Sequence, residues 1–118
     1  MLSFGLLAQT TFYTQTSGDP NDVNNWNSDQ DGNGFSPSDF TLGDVFIILG
    51  GHTMVTTSGG WSISGTGSSL QIGPGGELRS DFPVVLSAQT SFEMDNGTIY
   101  RHNNTGSLST IFQGIINL

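Results

Sequence analysis

The amino-acid sequence predicts an all-β chain: a three-faced, right-handed parallel β-helix with coils of about 22–24 residues behind an N-terminal loop-rich cap. Three observations lead there. No stretch sustains a helical hydrophobic period, and from Val45 onward short apolar runs alternate with Gly, Ser, Thr and Asn turns. Apolar pairs then recur at nearly constant spacing. Finally, the turns between them are of the tight, glycine-rich kind that a change of face requires: LGGH, SGGW, SGTGS, GPGGE and DNGT.

The repeat has three interleaved sets. Phe46/Ile48, Leu70/Ile72, Phe92/Met94 and Ile116/Leu118 follow one another at 24, 22 and 24 residues. Between them come Val55, Leu78 and Ile99, spaced 23 and 21. A third set holds Trp61/Ile63, then Val84/Leu86 after 23 residues, then Ser109 to Phe112 after about 25. Residues i and i+2 of a strand share a face, so each pair fills an interior. One coil cannot bury that interior alone; stacked coils, at roughly 4.8 Å per strand, share it. A β-sandwich is the alternative, and its mark would be a hairpin at the DNG between FEM and TIY.

Ahead of the repeat, residues 10–44 hold six of the eight aspartates, with Pro20, Pro37 and several Asn and Gly. One candidate strand, TTFYTQ, stands among turns. A stack of parallel strands has open ends, and this segment is placed to cover one of them, with Trp26, Phe35 and Phe40 as plugs. The domain reading is therefore residues 1–9 as a signal-peptide remnant or first strand, 10–44 as the cap and 45–118 as the coils. The opening MLSFGLLAQ is apolar and ends on the small-residue pair Ala8-Gln9. The closing IINL falls within the first strand of a further coil. The expected partners are accordingly further coils of the same protein or another copy of itself.

Composition narrows the function classes. The chain of 118 residues has no cysteine and no lysine, and its net charge is −8. Such a surface repels phosphate backbones and anionic lipid, so nucleic-acid and membrane-surface binding are disfavoured. No apolar run reaches the roughly 18 residues of a membrane span. Charged residues are 10 % of the chain, against about 25 % in ordinary globular domains. A polar, uncharged, glycine-rich and β-branched chain suits a secreted or cell-surface location.

FYTQTSGDPNDVNNWN, followed by DGNGFSPSDFTLGDVFIILGGHTMVTTSGGWSISGTGSSLQIGPGGEL, resembles the N-terminal region of secreted and surface β-solenoid proteins of Bacteroidota, many exported by the type IX pathway. It is similar, more distantly, to G8-type β-helical modules. The likeness covers roughly residues 10–80 and rests on turn glycines and core apolars. It implies export, attachment or adhesion, and further repeats.

Candidate chemistry is sparse. Asp29, Asp31, Asn33 and Gly34 match positions 1, 3, 5 and 6 of a calcium loop, but position 12 is Phe40 and the nearest acid is Asp39. Calcium on Asp29, Asp31, Asn33 and Asp39 is weighed against the same residues bonding their own backbone as turn formers. His52, on a turn between two expected strands, and His102, at a strand end, have no neighbouring His or Cys in sequence and read as hydrogen-bonded histidines. A glycosidase needs two carboxylates across one groove, roughly 5–9.5 Å apart. Glu77, Asp81, Glu93 and Asp95 do not converge in the expected register, so no catalysis is expected. Arg79 and Arg101, 22 residues apart, are expected to stack on an outer face with Tyr100 and to offer a surface for an extracellular glycan. The expected function is a non-catalytic structural or adhesive module. The alternatives are a carbohydrate-binding or carbohydrate-processing β-helix, and a filament subunit that stacks through its open end.

Overall fold

A computed structural model describes residues 9–104 and a strand at 115–117. Among the described residues the fold is all-β, apart from one 3-10 turn at Val23–Asn25. The strands are β1 (Thr11–Thr14), β2 (Trp26–Asn27), β3 (Val45–Ile48), β4 (Thr53–Val55), β5 (Trp61–Ile63), β6 (Ser69–Ile72), β7 (Glu77–Ser80), β8 (Val84–Leu86), β9 (Ser91–Met94), β10 (Ile99–His102) and β11 (Ile115–Asn117). They form three sheets: β11-β9-β6-β3-β1-β2, β10-β7-β4 and β5-β8. Every pairing is parallel except β1 with β2.

From β3 to β10, partners in a sheet are three strands apart in chain order. Each strand is short, and a tight turn carries the chain to a different sheet. The hairpin at DNG that a β-sandwich would show does not form: β9 pairs with β6 and β11, and β10 pairs with β7. The first sheet aligns Phe12, Phe46, Leu70 and Phe92 in one row and Ile48, Ile72 and Met94 in another. The third sheet aligns Trp61 with Val84 and Ile63 with Leu86. Nearly all of these side chains are fully buried, as alternation along a strand requires.

The second sheet corrects one expectation. Its interior row is Met54, Leu78 and Tyr100, not Val55, Leu78 and Ile99. Met54 and Leu78 are fully buried, whereas Ile99 is 40 % exposed. The spacings in this sheet are 24 and then 22, the same as in the first sheet. In TMV, residues of both parities are apolar, so hydrophobicity alone leaves the phase open by one residue; such a slip turns every side chain to the other face.

Residues 10–44 meet the first strand of every sheet. β1 extends the first sheet beyond β3, aligning Phe12 with Phe46. Gly18 bridges Met54, with its N–H on Thr53 O and its carbonyl accepting from Val55 N. Beside β5, Ser64 N donates to Phe40 O and Gly43 N to Ser64 O. Backbone groups that would otherwise face solvent at the edge are thereby paired. Two of the three expected plugs are buried. Trp26 stacks on Trp61 at 5.6 Å and meets Phe46 edge-on, and Phe40 contacts both Phe46 and Trp61. Phe35 departs from expectation: it is 61 % exposed and meets Phe12 in a T-shaped contact at 5.8 Å. Its loop is held out by bonds to Ser28, so the ring cannot reach the interior. The apolar start (residues 1–8), the third-sheet strand expected at Ser109 to Phe112, and Leu118 lie outside the described residues.

Candidate functional site

The most chemically varied surface is the outer face of the second sheet. Alternation puts Glu77 and Arg79 outward on β7 and Arg101 outward on β10, with Asp81 and Asn103 just beyond the strand ends. Arg79 and Arg101 are direct register partners, as expected. At roughly 4.8 Å between strands, two guanidinium groups would repel, and carboxylates offset that repulsion. Asp81 takes both Arg79 Nε and Nη2, at 2.9 and 3.0 Å, and also accepts from Asn103 Nδ2 at 2.9 Å. Glu77 reaches diagonally to Arg101 Nε at 2.8 Å. The hydrogen bond from Arg79, then that from Asn103, holds the Asp81 carboxyl below the usual carboxylate range. The same pairing raises the Arg79 guanidinium. The result is a charge lattice neutralised within itself, with the Arg101 side chain still 59 % exposed.

Tyr100 does not join this face. It belongs to the interior row, with its ring edge-on to Phe92 at 6.2 Å and its hydroxyl 2.8 Å from His102 Nδ1. Burial pushes its phenol above the usual value. The sequence missed this because β10 was phased on Ile99, which put Tyr100 outside.

The aspartate loop is a set of turns. Asn27 Oδ1 accepts from both Asp29 N and Gly34 N, Asp31 Oδ1 from Asn33 N, and Ser28 Oγ from Phe35 N. Asp39 Oδ1 accepts from Thr41 N and Thr41 Oγ1, and the backbone bond followed by the hydroxyl bond lowers its carboxyl. Asp29, Asp31, Asn33 and Asp39 are all exposed on one loop, and the Asp31 and Asp39 carboxylates serve separate turns. Among the described residues no three acidic or histidine side chains gather at one point. In this structure these oxygens are not gathered into the six- to eight-oxygen cage that calcium takes.

His52 lies between β3 and β4, with Nδ1 2.7 Å from Thr14 Oγ1, and the Thr14 hydroxyl oxygen accepts from Leu49 N. It ties β1 to the turn after β3. The candidate catalytic carboxylates are dispersed. Glu93 continues the outer row Ile47–Gln71 of the first sheet, Glu77 and Asp81 are paired with arginines on the second, and Asp95 lies in the turn after β9. One feature had no sequence signal beyond two apolar residues in a polar loop. A cleft of about 210 Å3 opens between Phe12, Phe35, Pro37, Leu42 and Asp44.

No family model matches this chain, and neither the curated proteins nor the solved structures contain a match to it.

Proposed function

We propose that this chain is a non-catalytic, extracellular structural or adhesive module: a right-handed parallel β-solenoid of a secreted or cell-surface bacterial protein, with residues 10–44 as its cap. The observation that carries the reading is the register. Strands three apart in sequence pair in parallel and in order, so one interior row runs through Phe12, Phe46, Leu70 and Phe92. Such a stack is rigid and repeats its outer residues at the strand spacing, which suits display rather than turnover. The neutralised Arg79/Arg101 lattice and the dispersed carboxylates support the non-catalytic part. The loop from Asp29 to Phe40 acts as a turn-built closure of the cap.

Two measurements test this. Cysteines at Gln71 and Glu93, which face each other across adjacent strands, are expected to cross-link on oxidation, whereas Gln71 with Asp95 is not; the reverse pattern overturns the stacked architecture. Incubation with a polysaccharide panel is expected to release no reducing ends and no unsaturated products. Turnover lost on Glu77→Gln or Glu93→Gln would replace the structural reading with an enzymatic one.

A second reading rests on the exposed Arg101 guanidinium beside Arg79, Asp81 and Asn103: an outer face that holds an extracellular glycan through planar polar groups. Binding on a glycan array that disappears in Arg101→Ala supports it, and an array without hits removes it.

A further inference from the structure

We propose that Asn96 is a site of spontaneous covalent modification, converted through a cyclic imide to aspartate and isoaspartate, while the fold shields the chain's other Asn-Gly pair, Asn33-Gly34. The chemistry is local. The backbone nitrogen of the following residue attacks the asparagine Cγ, a new C–N bond closes a five-membered ring, and the side-chain amide leaves as ammonia. Water then opens the ring at either carbonyl, giving aspartate or, with one more methylene in the main chain, isoaspartate. Glycine as the following residue offers the least steric resistance. The reaction needs a nitrogen not engaged as a hydrogen-bond donor, and space for the ring.

Asn33-Gly34 and Asn96-Gly97 are the chain's two Asn-Gly pairs, and the structure sets them apart on both requirements. Gly34 N donates to Asn27 Oδ1 at 2.8 Å, and a substituent on its Cα would collide with Ser28 Oγ and Asn27 Oδ1. Asn33 N is itself tied to Asp31 Oδ1 at 3.3 Å, and Ser28 and Phe35 bond each other across the loop. Attack there would first have to break a good hydrogen bond and then move packed neighbours.

Asn96 lies exposed in the turn between β9 and β10. Gly97 sits at φ 77° with nothing within 4 Å of where a Cβ would be. Among the described residues its N–H has no acceptor, although the equivalent groups before it do: Gly51 N donates to Gly75 O, and Gly75 N to Gly97 O. Among the described residues no further turn continues that row over Gly97. The consequence is mechanical as well as chemical. An added methylene at Asn96 would displace Gly97 O from Gly75 N and disturb the entry to β10, where Ile99 N donates to Gly76 O at 3.2 Å.

The test is a time course of the folded chain in mildly alkaline buffer, followed by proteolysis and peptide mass spectrometry with isoaspartate detection. The peptide holding Asn96 is expected to gain the amide-to-acid mass change several-fold faster than the peptide holding Asn33. In denaturant the two sites should react at similar rates, because their local sequences offer the same Asn-Gly chemistry. Equal rates in the folded chain, or a faster Asn33, overturn the proposal. Asn27→Ala, which removes the acceptor on Gly34 N, should bring the Asn33 rate toward that of Asn96 in a chain whose circular dichroism is unchanged. If Asn27→Ala instead unfolds the protein, Ser28→Ala relieves the second contact and is expected to raise the Asn33 rate in the same direction; no rise with either folded variant overturns the shielding argument.

Discussion

Trp26 and Trp61 lie face to face, 5.6 Å apart, yet they come from regions built on different principles. Trp26 belongs to residues 10–44, where the chain is irregular. There, side chains do much of the work of pairing the backbone: Asp22 caps the 3-10 turn, Asn27 and Ser28 hold the following loop, and Asp39 closes the turn at Thr41. Trp61 belongs to residues 45–104, where parallel ladders pair the backbone and outward side chains are left for the surface. The difference explains the uneven aspartates. A loop that has no strand partner needs short acceptors near its own N–H groups, whereas a ladder needs only β-branched or aromatic residues that alternate. Even the two indoles differ. Trp26 Nε1 donates to Pro20 O at 2.8 Å, while Trp61 Nε1 is buried with no hydrogen-bond partner among the described residues.

The largest expected effect asks whether the two regions are one unit. Trp26→Ala and Trp61→Ala should each cost about 3–5 kcal/mol, read from urea unfolding, with a single transition in each case. Two separate transitions in Trp26→Ala would show that the aspartate-rich region unfolds by itself.

Next comes the turn before β5. Gly60 sits at φ 67° and an added Cβ would press on Pro83 O of the stacked turn, whereas Gly59, at φ 101°, faces open space. Gly59→Ala should cost about 1 kcal/mol for the left-handed backbone, and Gly60→Ala about 3 kcal/mol because backbone contact is added to that strain. Equal losses would mean that the turns are not held against one another.

Phenylalanine in place of each tryptophan is a finer probe. Trp26→Phe leaves the buried Pro20 carbonyl without its donor, and Trp61→Phe removes a donor with no acceptor among the described residues. The first should be less stable than the second by about 1 kcal/mol; the opposite order would show that the Pro20 bond contributes nothing.

The smallest effect is a pH dependence on the outer lattice. The folded Asp81 carboxyl is lowered, chiefly by Arg79, so its pairing stabilises the fold above the ordinary carboxylate range. That contribution is lost as pH falls through the lowered folded value. Asp81→Asn should therefore flatten the acid limb of melting temperature against pH and leave the neutral value almost unchanged. An unaltered acid limb would show that Arg79 gains nothing measurable from its partner.

Much of this was legible in the chain. Phe46, Leu70 and Phe92 at 24 and 22 residues, and Trp61 with Val84 at 23, are aligned as their spacing predicts. The partnership of Arg79 with Arg101 was legible for the same reason, and so was the hydrogen-bonded role of His52. Three things were not. Tyr100 was assigned to the wrong face because Ile99 is the more apolar neighbour. Phe35 was assigned to the interior because aromaticity says nothing of the Ser28 bonds that hold its loop out. Asp29, Asp31, Asn33 and Asp39 have the spacing of ligands and of turn formers alike, and spacing does not say whether oxygens converge or turn back on their own backbone.

Alternation, recurrence and turn glycines, all local properties of covalent geometry and side-chain shape, determined from sequence alone that this chain is built of short β-strands in parallel register. The tertiary structure decided what depends on distances between remote residues: the phase of β4 and β10, the acceptors that occupy each arginine, and the coverage of the first strand in every sheet by residues 10–44. Those outcomes turn on differences of one residue or one hydrogen bond, which hydrophobic pattern does not resolve and close packing does.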